Sequence, residues 1–302
     1  MPNITFLAAL EGNRQRLDGG AMFGNAPREM WKNWSKPDEF NRIDLACRSL
    51  LAKTDDGRTL LFEAGIGAFF DPKMKERFGV NPAHHELLES LFRAGVREEE
   101  IDGVILSHLH FDHAGGMLSA FEDGEPRLLF PHARYYIGEN QWQRARSPHS
   151  RDRASFVPVL NDLLEKSGRV ALIPASGDSD LAPLVRFTMS DGHTPGMLIS
   201  RIEAPAGPVA FVADLIPGAA WILPTISMGY DRFPELLLEE KQSLLNETAR
   251  RDGFLFFTHD PQMPFAHLRV DAKGRFAAVP ACAAELLAPR TAPSGEYCTT
   301  SL

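Results

Sequence analysis

Three histidines and one aspartate fall within six residues of this 302-residue chain, as His108, His110, Asp112 and His113. They follow the short apolar run Val104–Leu106 and precede Gly115-Gly116. Neutral imidazole and carboxylate are the usual ligands of Zn²⁺, Fe²⁺ and Mn²⁺. In an extended segment, alternating His-x-His turns both rings to one side. A turn after it sends Asp112 and His113 toward a neighbouring position. One short segment then serves two metals about 3.5 Å apart, the separation of two-metal hydrolytic sites. The alternative, a histidine-rich surface loop, fits this spacing poorly.

Three more segments repeat one layout, an apolar strand followed at once by a candidate ligand. LVRFTMSDG leads to His193, PVAFVA to Asp214 and GFLFFT to His259. Sheet folds build sites on loops at strand ends. Each of the three alone is ordinary. A single histidine beside a strand is more often structural, and an aspartate ending a strand is more often a turn or a cap. The case rests on their occurring together with the 108–113 cluster.

Around these segments the chain reads as strands interleaved with helices. A hairpin signal runs from Leu45 through a turn at 55–58 to TLLFEAG. Helices are expected over 82–96, within 153–168 and over 234–251, and the last strand over 253–260. Residues 1–44 lack periodicity and read as a long loop or packing arm. Residues 286–302 read as an extended or frayed tail. His84-His85 reads as a solvated helix start. With no repeat and no linker, one domain over 1–302 is the simplest organisation, with helices outside two packed sheets.

Composition narrows the function classes. The net charge of −8 argues against a nucleic-acid partner. No apolar run reaches the roughly 20 residues of a membrane span. The start of the chain has no basic residues before its apolar patch, so it does not read as a secretion signal, and the expected compartment is the cytoplasm. Cys47, Cys282 and Cys298 form no paired motif and read as reduced thiols. The glycine-rich DGGAMFG lacks the context of a phosphate loop.

In order and spacing, these residues resemble the metallo-β-lactamase superfamily over 45–265. The resemblance implies an α/β (α+β) fold, a four-layer αββα sandwich. It implies that His108, His110 and His193 hold one metal, that Asp112, His113 and His259 hold the other, and that Asp214 bridges them. Two Zn²⁺ ions are expected, with Fe, Mn or Co as alternatives. SHLHFDHAGG resembles the motif of quorum-quenching N-acyl-homoserine lactonases. LDGGAMFG and the DLIP…GYD stretch resemble a branch that also contains methyl-parathion-type organophosphate hydrolases. By resemblance the N-terminal arm suggests a homodimer.

Three positions depart from the family pattern. Met197 stands where a histidine usually follows His-Thr-Pro-Gly. Glu63-Ala64-Gly65 replaces Asp-x-Gly, and its longer carboxylate is available to orient a ligand imidazole. Pro217 stands where the lactonases place a tyrosine.

The expected activity is hydrolysis of a small ester-like substrate, a lactone first, by a hydroxide shared between the metals, with Asp112 and Asp214 as catalytic carboxylates. The alternatives are an organophosphate triester or aryl ester, a glyoxalase II-type thioester, and, from another class, a redox di-iron protein. His110 disfavours the last, since flavodiiron proteins carry a carboxylate there. Met22, Phe23, Phe111, Trp221 and Tyr230 are the candidate pocket residues.

Overall fold

A computed structural model describes residues 2–288. It shows the αββα sandwich, built from two six-stranded sheets and a short ribbon. In chain order the strands are β1 (Ile4–Leu10), β2 (Gln15–Asp18), β3 (Arg42–Leu45), β4 (Ser49–Thr54), β5 (Thr59–Phe62), β6 (Gly103–Ile105) and β7 (Arg134–Gly138). There follow β8 (Val170–Ile173), β9 (Val185–Ser190), β10 (Met197–Ala204), β11 (Gly207–Phe211), β12 (Phe254–Phe256), β13 (Phe265–Val270) and β14 (Phe276–Ala281). The first sheet has the order β1-β4-β5-β6-β7-β8, the second β14-β13-β12-β11-β10-β9, and β2 pairs with β3.

Side-chain alternation explains the layering. In β4 and β5, Leu50, Ala52, Leu60 and Phe62 join the core between the sheets, while Leu51 and Leu61 join a second core on the outer face. Successive strand side chains point to opposite faces, so an unbroken apolar run is what a strand covered on both sides requires. Leu87 and Leu91 of helix Glu86–Arg93, with Leu160 and Leu164 of helix Pro158–Ser167, close the outer core. Leu237, Leu244 and Leu245 of helix Pro234–Arg250 pack against the second sheet.

The structure differs from the sequence reading at both ends. Residues 1–44 are not a loop. They supply β1, which pairs antiparallel with β4, and the ribbon strands β2 and β3. β1 is apolar at six of its seven positions and forms a sheet edge, with an irregular register between Ile4 and Phe6. Two strands, β13 and β14, follow the segment read as the last one. The tail begins in a helix, Ala283–Leu287, anchored by the buried Leu286. Residues 289–302, with Cys298, lie outside the described residues.

The topology gathers the ligand-bearing loops. β5 is parallel to β6, and β11 to β12. β9 reaches β11 through two antiparallel steps across β10, so it too runs parallel to β11. Within each sheet these strands therefore end at the same edge. Backbone hydrogen bonds from Ala46 to His259 and from Leu198 to Ser107 join the two sheets there.

Candidate metal centre

The segment after β6 turns as its composition requires. His110 lies in extended backbone, and a helical turn, Phe111–Ala114, carries Asp112 and His113 around. Gly116 closes the turn against the loop after β5. A Cβ there would lie 2.0 Å from the Ala64 carbonyl oxygen, so only glycine fits.

Two sets of ligating atoms result. His108, His110 and His193 converge on one point, and Asp112, His113 and His259 on another, all of them buried. Asp214 stands between the sets. Its Oδ2 lies 3.2 Å from His193 Nε2 and 4.0 Å from His108 Nε2. Its Oδ1 lies 3.2 Å from both His113 Nε2 and His259 Nε2. Each carboxylate oxygen thus faces one set.

Four imidazoles are held from behind by their Nδ1 atoms. His193 donates to Asp231 at 2.8 Å, His259 to the Ala46 carbonyl at 2.6 Å and His113 to Glu63 at 2.9 Å. His108 Nδ1 lies 2.9 Å from the Ser107 hydroxyl, which donates in turn to Glu63. Nδ1–H donation leaves each Nε2 as a lone pair aimed inward, the arrangement a metal-ligating histidine needs. Glu63 therefore serves both sets. It also has a positive φ of 62°, a backbone conformation that costs a non-glycine residue about 1–3 kcal/mol and clusters at functional sites. Gln15 donates to Asp112 Oδ2 at 2.6 Å and fixes that carboxylate.

The donor atoms fit metal ions. Ligands about 2.1 Å from a tetrahedral zinc lie roughly 3.4 Å from one another. Here His113 and His259 Nε2 are 3.0 Å apart, and His193 Nε2 is 3.3 Å from His110 Nδ1. Close nitrogen lone pairs repel unless a cation lies between them. His108 Nε2 is buried with no hydrogen-bond partner, which a cation would also answer. Without one, the histidines diverge. Burial, then neighbouring imidazoles, pushes His108 and His110 well below the usual value. Burial opposes charge on His113 too, but Glu63, Asp214 and Asp112 outweigh it and raise that residue well above the usual value.

A cavity of about 320 Å³ opens onto both sets. His110, Asp112, His193, Asp214 and His259 reach it, and Leu17, Met22, Phe78, Phe111 and Tyr230 form its walls. Tyr230 makes no hydrogen bond among the described residues. Burial, then Asp112, pushes its phenol up to about 12, so it stays a donor at neutral pH.

Phe23 and Trp221 are corrections to the expected pocket. Trp221 stacks on Phe23 with centroids 4.3 Å apart, and Phe23 stacks on Trp31 at 5.5 Å. The Trp221 indole N–H donates to the Met22 carbonyl at 2.8 Å. This buried stack sits behind Met22 and supports the wall instead of forming it. His85 is a second correction. Only His84 is exposed; His85 is buried, donates to the Gly116 carbonyl at 3.0 Å and braces the ligand turn. Met197 lies in the core between the sheets. Pro217 accepts from the His259 backbone N–H at 2.9 Å. Cys47 is buried beside His259, and burial raises its thiol.

Sequence reasoning did not assign Gln15 or Asp231. Asp231 had a signal, since Gly229-Tyr230-Asp231 was part of the resemblance, but nothing in the sequence marks Gln15.

Comparisons with known proteins agree with this geometry. Residues 42–259 match the profile of the metallo-beta-lactamase superfamily. An N-acyl homoserine lactonase from Bacillus sp. is 26% identical over 240 residues, covering 72% of this chain and 82% of that one. A probable metal-dependent hydrolase from Staphylococcus aureus superposes with a TM-score of 0.82 at 24% identity, covering 92% of this chain and 97% of that one. The dizinc quorum-quenching lactonase AidC, solved with the product N-hexanoyl-L-homoserine, superposes at 0.70 with 21% identity, covering 93% and 98%. The chain belongs to the metallo-beta-lactamase superfamily, as a metal-dependent hydrolase related to the N-acyl homoserine lactonases.

Proposed function

We propose that the chain hydrolyses a lactone or a closely related ester, with N-acyl homoserine lactones the first class to test. Two metal ions, zinc first, would be held by His108, His110 and His193, by Asp112, His113 and His259, and by Asp214 between them. The observation that carries this reading is Asp214, whose two oxygens face two separate sets of ligating atoms on the floor of one cavity. When bound, such ions supply Lewis acidity and lower the pKa of water toward neutrality.

The chain's own residues do the rest. The Nδ1 partners keep the imidazoles oriented. Leu17, Met22, Phe78 and Phe111 form an apolar wall that suits an acyl chain. Tyr230 offers a protonated phenol to the acyl or the leaving oxygen. In the reaction, a water oxygen bonds to the acyl carbon, the ring C–O bond breaks, and the leaving oxygen takes up a proton to give a hydroxy acid. No covalent enzyme intermediate is needed; Cys47 is buried outside the cavity lining.

Phosphotriester or aryl-ester hydrolysis is the second reading. Pro217, where the related lactonases place a tyrosine, counts against homoserine-lactone specificity and is what keeps this reading in play.

The test pairs metal content with rates on acyl-homoserine lactones, simple γ-lactones, aryl esters, thioesters and phosphotriesters. About two metals per chain with chelator-sensitive lactone cleavage supports the proposal. Triester turnover alone moves the assignment to the second reading, and absence of metal removes both. Asp214→Ala is expected to lose turnover and metal together; activity retained by that variant after metal depletion refutes the mechanism.

A further inference from the structure

The chain is acidic, yet one side of the cavity is not. Arg77, Arg151 and Arg232 line it, and apart from the metal-ligand set the only carboxylate among the lining residues is Asp152. That carboxylate is half engaged, its Oδ1 having no hydrogen-bond partner. Its Oδ2 accepts from Arg144 Nε at 2.9 Å and from Nη2 at 2.7 Å, while Arg232 Nε stands 3.7 Å away. Arg232 has an 11% exposed side chain, and its Nε and Nη1 have no hydrogen-bond partner. Among the described residues the Arg151 guanidinium donates to the Gly229 carbonyl, at 2.9 Å. Arg77 lies over the ring of Phe78, 5.7 Å from its centroid, with no carboxylate partner among the described residues.

Buried guanidinium nitrogens are rarely left unpaired, because desolvation without a partner is costly. Arg232 is the largely buried one; Arg77 and Arg151 are exposed, and the three line the cavity from separate parts of the chain: the helix Pro72–Phe78, the loop at 151 and the segment after Asp231. Arg232 follows the residue that holds His193, so the buried part of this cationic wall lies on the His193 side of the cavity. Planar guanidinium forks match carboxylates, often bidentately.

We propose that this wall binds a carboxylate carried by the substrate away from the scissile bond, so that the preferred substrate is an anionic lactone or ester and not a neutral one. The inference rests on the hydrolytic reading above and narrows its substrate class. The apolar wall of Met22, Phe78 and Phe111 then covers the link between the two charged ends.

The test uses metal-loaded enzyme and two matched substrate pairs. One is a γ-butyrolactone with a ring carboxylate against its primary carboxamide. The other is a 4-nitrophenyl ester of a dicarboxylic acid against the corresponding amide-terminated ester. The acids are expected to show kcat/KM at least ~10-fold above their amides, chiefly through KM, with the gap shrinking as salt rises. Arg232→Gln and Arg77→Gln are each expected to reduce the acid-to-amide ratio about 10-fold. Arg77 touches no metal ligand, which separates loss of the anion contact from disturbance near Asp231. Equal rates for acid and amide in the unaltered enzyme, or an unchanged ratio in both variants, overturn the proposal. If no probe is hydrolysed, the hydrolytic reading fails instead. Calorimetric binding of the lactone acid then decides the anion site alone: weaker binding to Arg232→Gln supports it, and equal binding overturns it.

Discussion

Asp231→Asn isolates the support of one set of ligands. Asp231 is fully buried, and both its oxygens are acceptors in use: Oδ1 from His193 Nδ1–H at 2.8 Å, Oδ2 from the Met228 backbone N–H at 2.6 Å. Asparagine has nearly the same shape but one acceptor and one donor. If its oxygen faces His193, its NH₂ meets the Met228 N–H. If its NH₂ faces His193, the imidazole must move its proton to Nε2 and cannot ligate. The first arrangement strands a buried donor, at about 1–3 kcal/mol, and the second removes the ligating lone pair. Losing the partner behind a ligand histidine typically weakens metal binding 10–100-fold, about 1.4–2.8 kcal/mol. The other set rests on Glu63 and the Ala46 carbonyl, which the substitution leaves alone. Titration of metal-depleted protein with zinc, in competition with a chromogenic chelator, is therefore expected to show one equivalent weakened ~10–100-fold and the other held. Unaltered affinity for both equivalents together with an unaltered Tm would refute the reasoning.

Three further outcomes are expected. Tyr230→Phe should keep its metal and lose roughly 10–100-fold in kcat on the best substrate, if the phenol donates to an oxygen that gains charge; an unchanged kcat assigns Tyr230 to the wall alone. Trp221→Ala removes one end of the buried ring stack and strands the Met22 carbonyl, which costs roughly 3–5 kcal/mol; a calorimetric Tm within about 3 °C of the unaltered protein contradicts that role. His85 carries a pH dependence of stability, because burial lowers its pKa to about 4, against about 6.5 when unfolded. Between these values the unfolded chain binds the extra proton, so stability falls as pH drops through that window, by about 3 kcal/mol in all. Comparing urea midpoints at pH 7 and 4.5 for metal-free unaltered protein and His85→Gln isolates the effect, and equal pH slopes would count against it.

What the sequence exposed, and what it hid, divides along physical lines. The 108–113 cluster stood out because four ligating residues in six positions have few structural uses. The strands bearing His193, Asp214 and His259 stood out because strands covered on both faces are uniformly apolar. β1, apolar at six of seven positions, was hidden because it is a single short run ahead of a long unpatterned stretch. Phe23 and Trp221 were misplaced because an aromatic residue near a ligand serves equally as wall or as core. Only the ring stack with Trp31 decides between them. Gln15 and the Ala46 carbonyl were invisible: one is an isolated amide far along the chain, the other a backbone atom whose role exists only once the segment before β4 meets the segment after β12.

The division of ligands between the sheets gives the centre a structural role as well as a chemical one. His108, His110, Asp112 and His113 follow a strand of the first sheet; His193, Asp214 and His259 follow strands of the second. Each set therefore draws ligands from both sheets, and Asp214 touches both sets. Without a cation, that edge holds imidazole nitrogens only 3.0 Å apart, an unpartnered His108 Nε2 and a cluster of buried carboxylates and histidines. None of this is favourable to bury. Ligands that bind only the folded state stabilise it by mass action, so metals here would clasp the sheets where the polypeptide itself holds them least comfortably. The groups behind the ligands, Glu63, Asp231, Ser107 and Gln15, belong to that clasp as much as to the chemistry. By holding the imidazoles and Asp112 in place before metal arrives, they reduce the ordering that binding must impose.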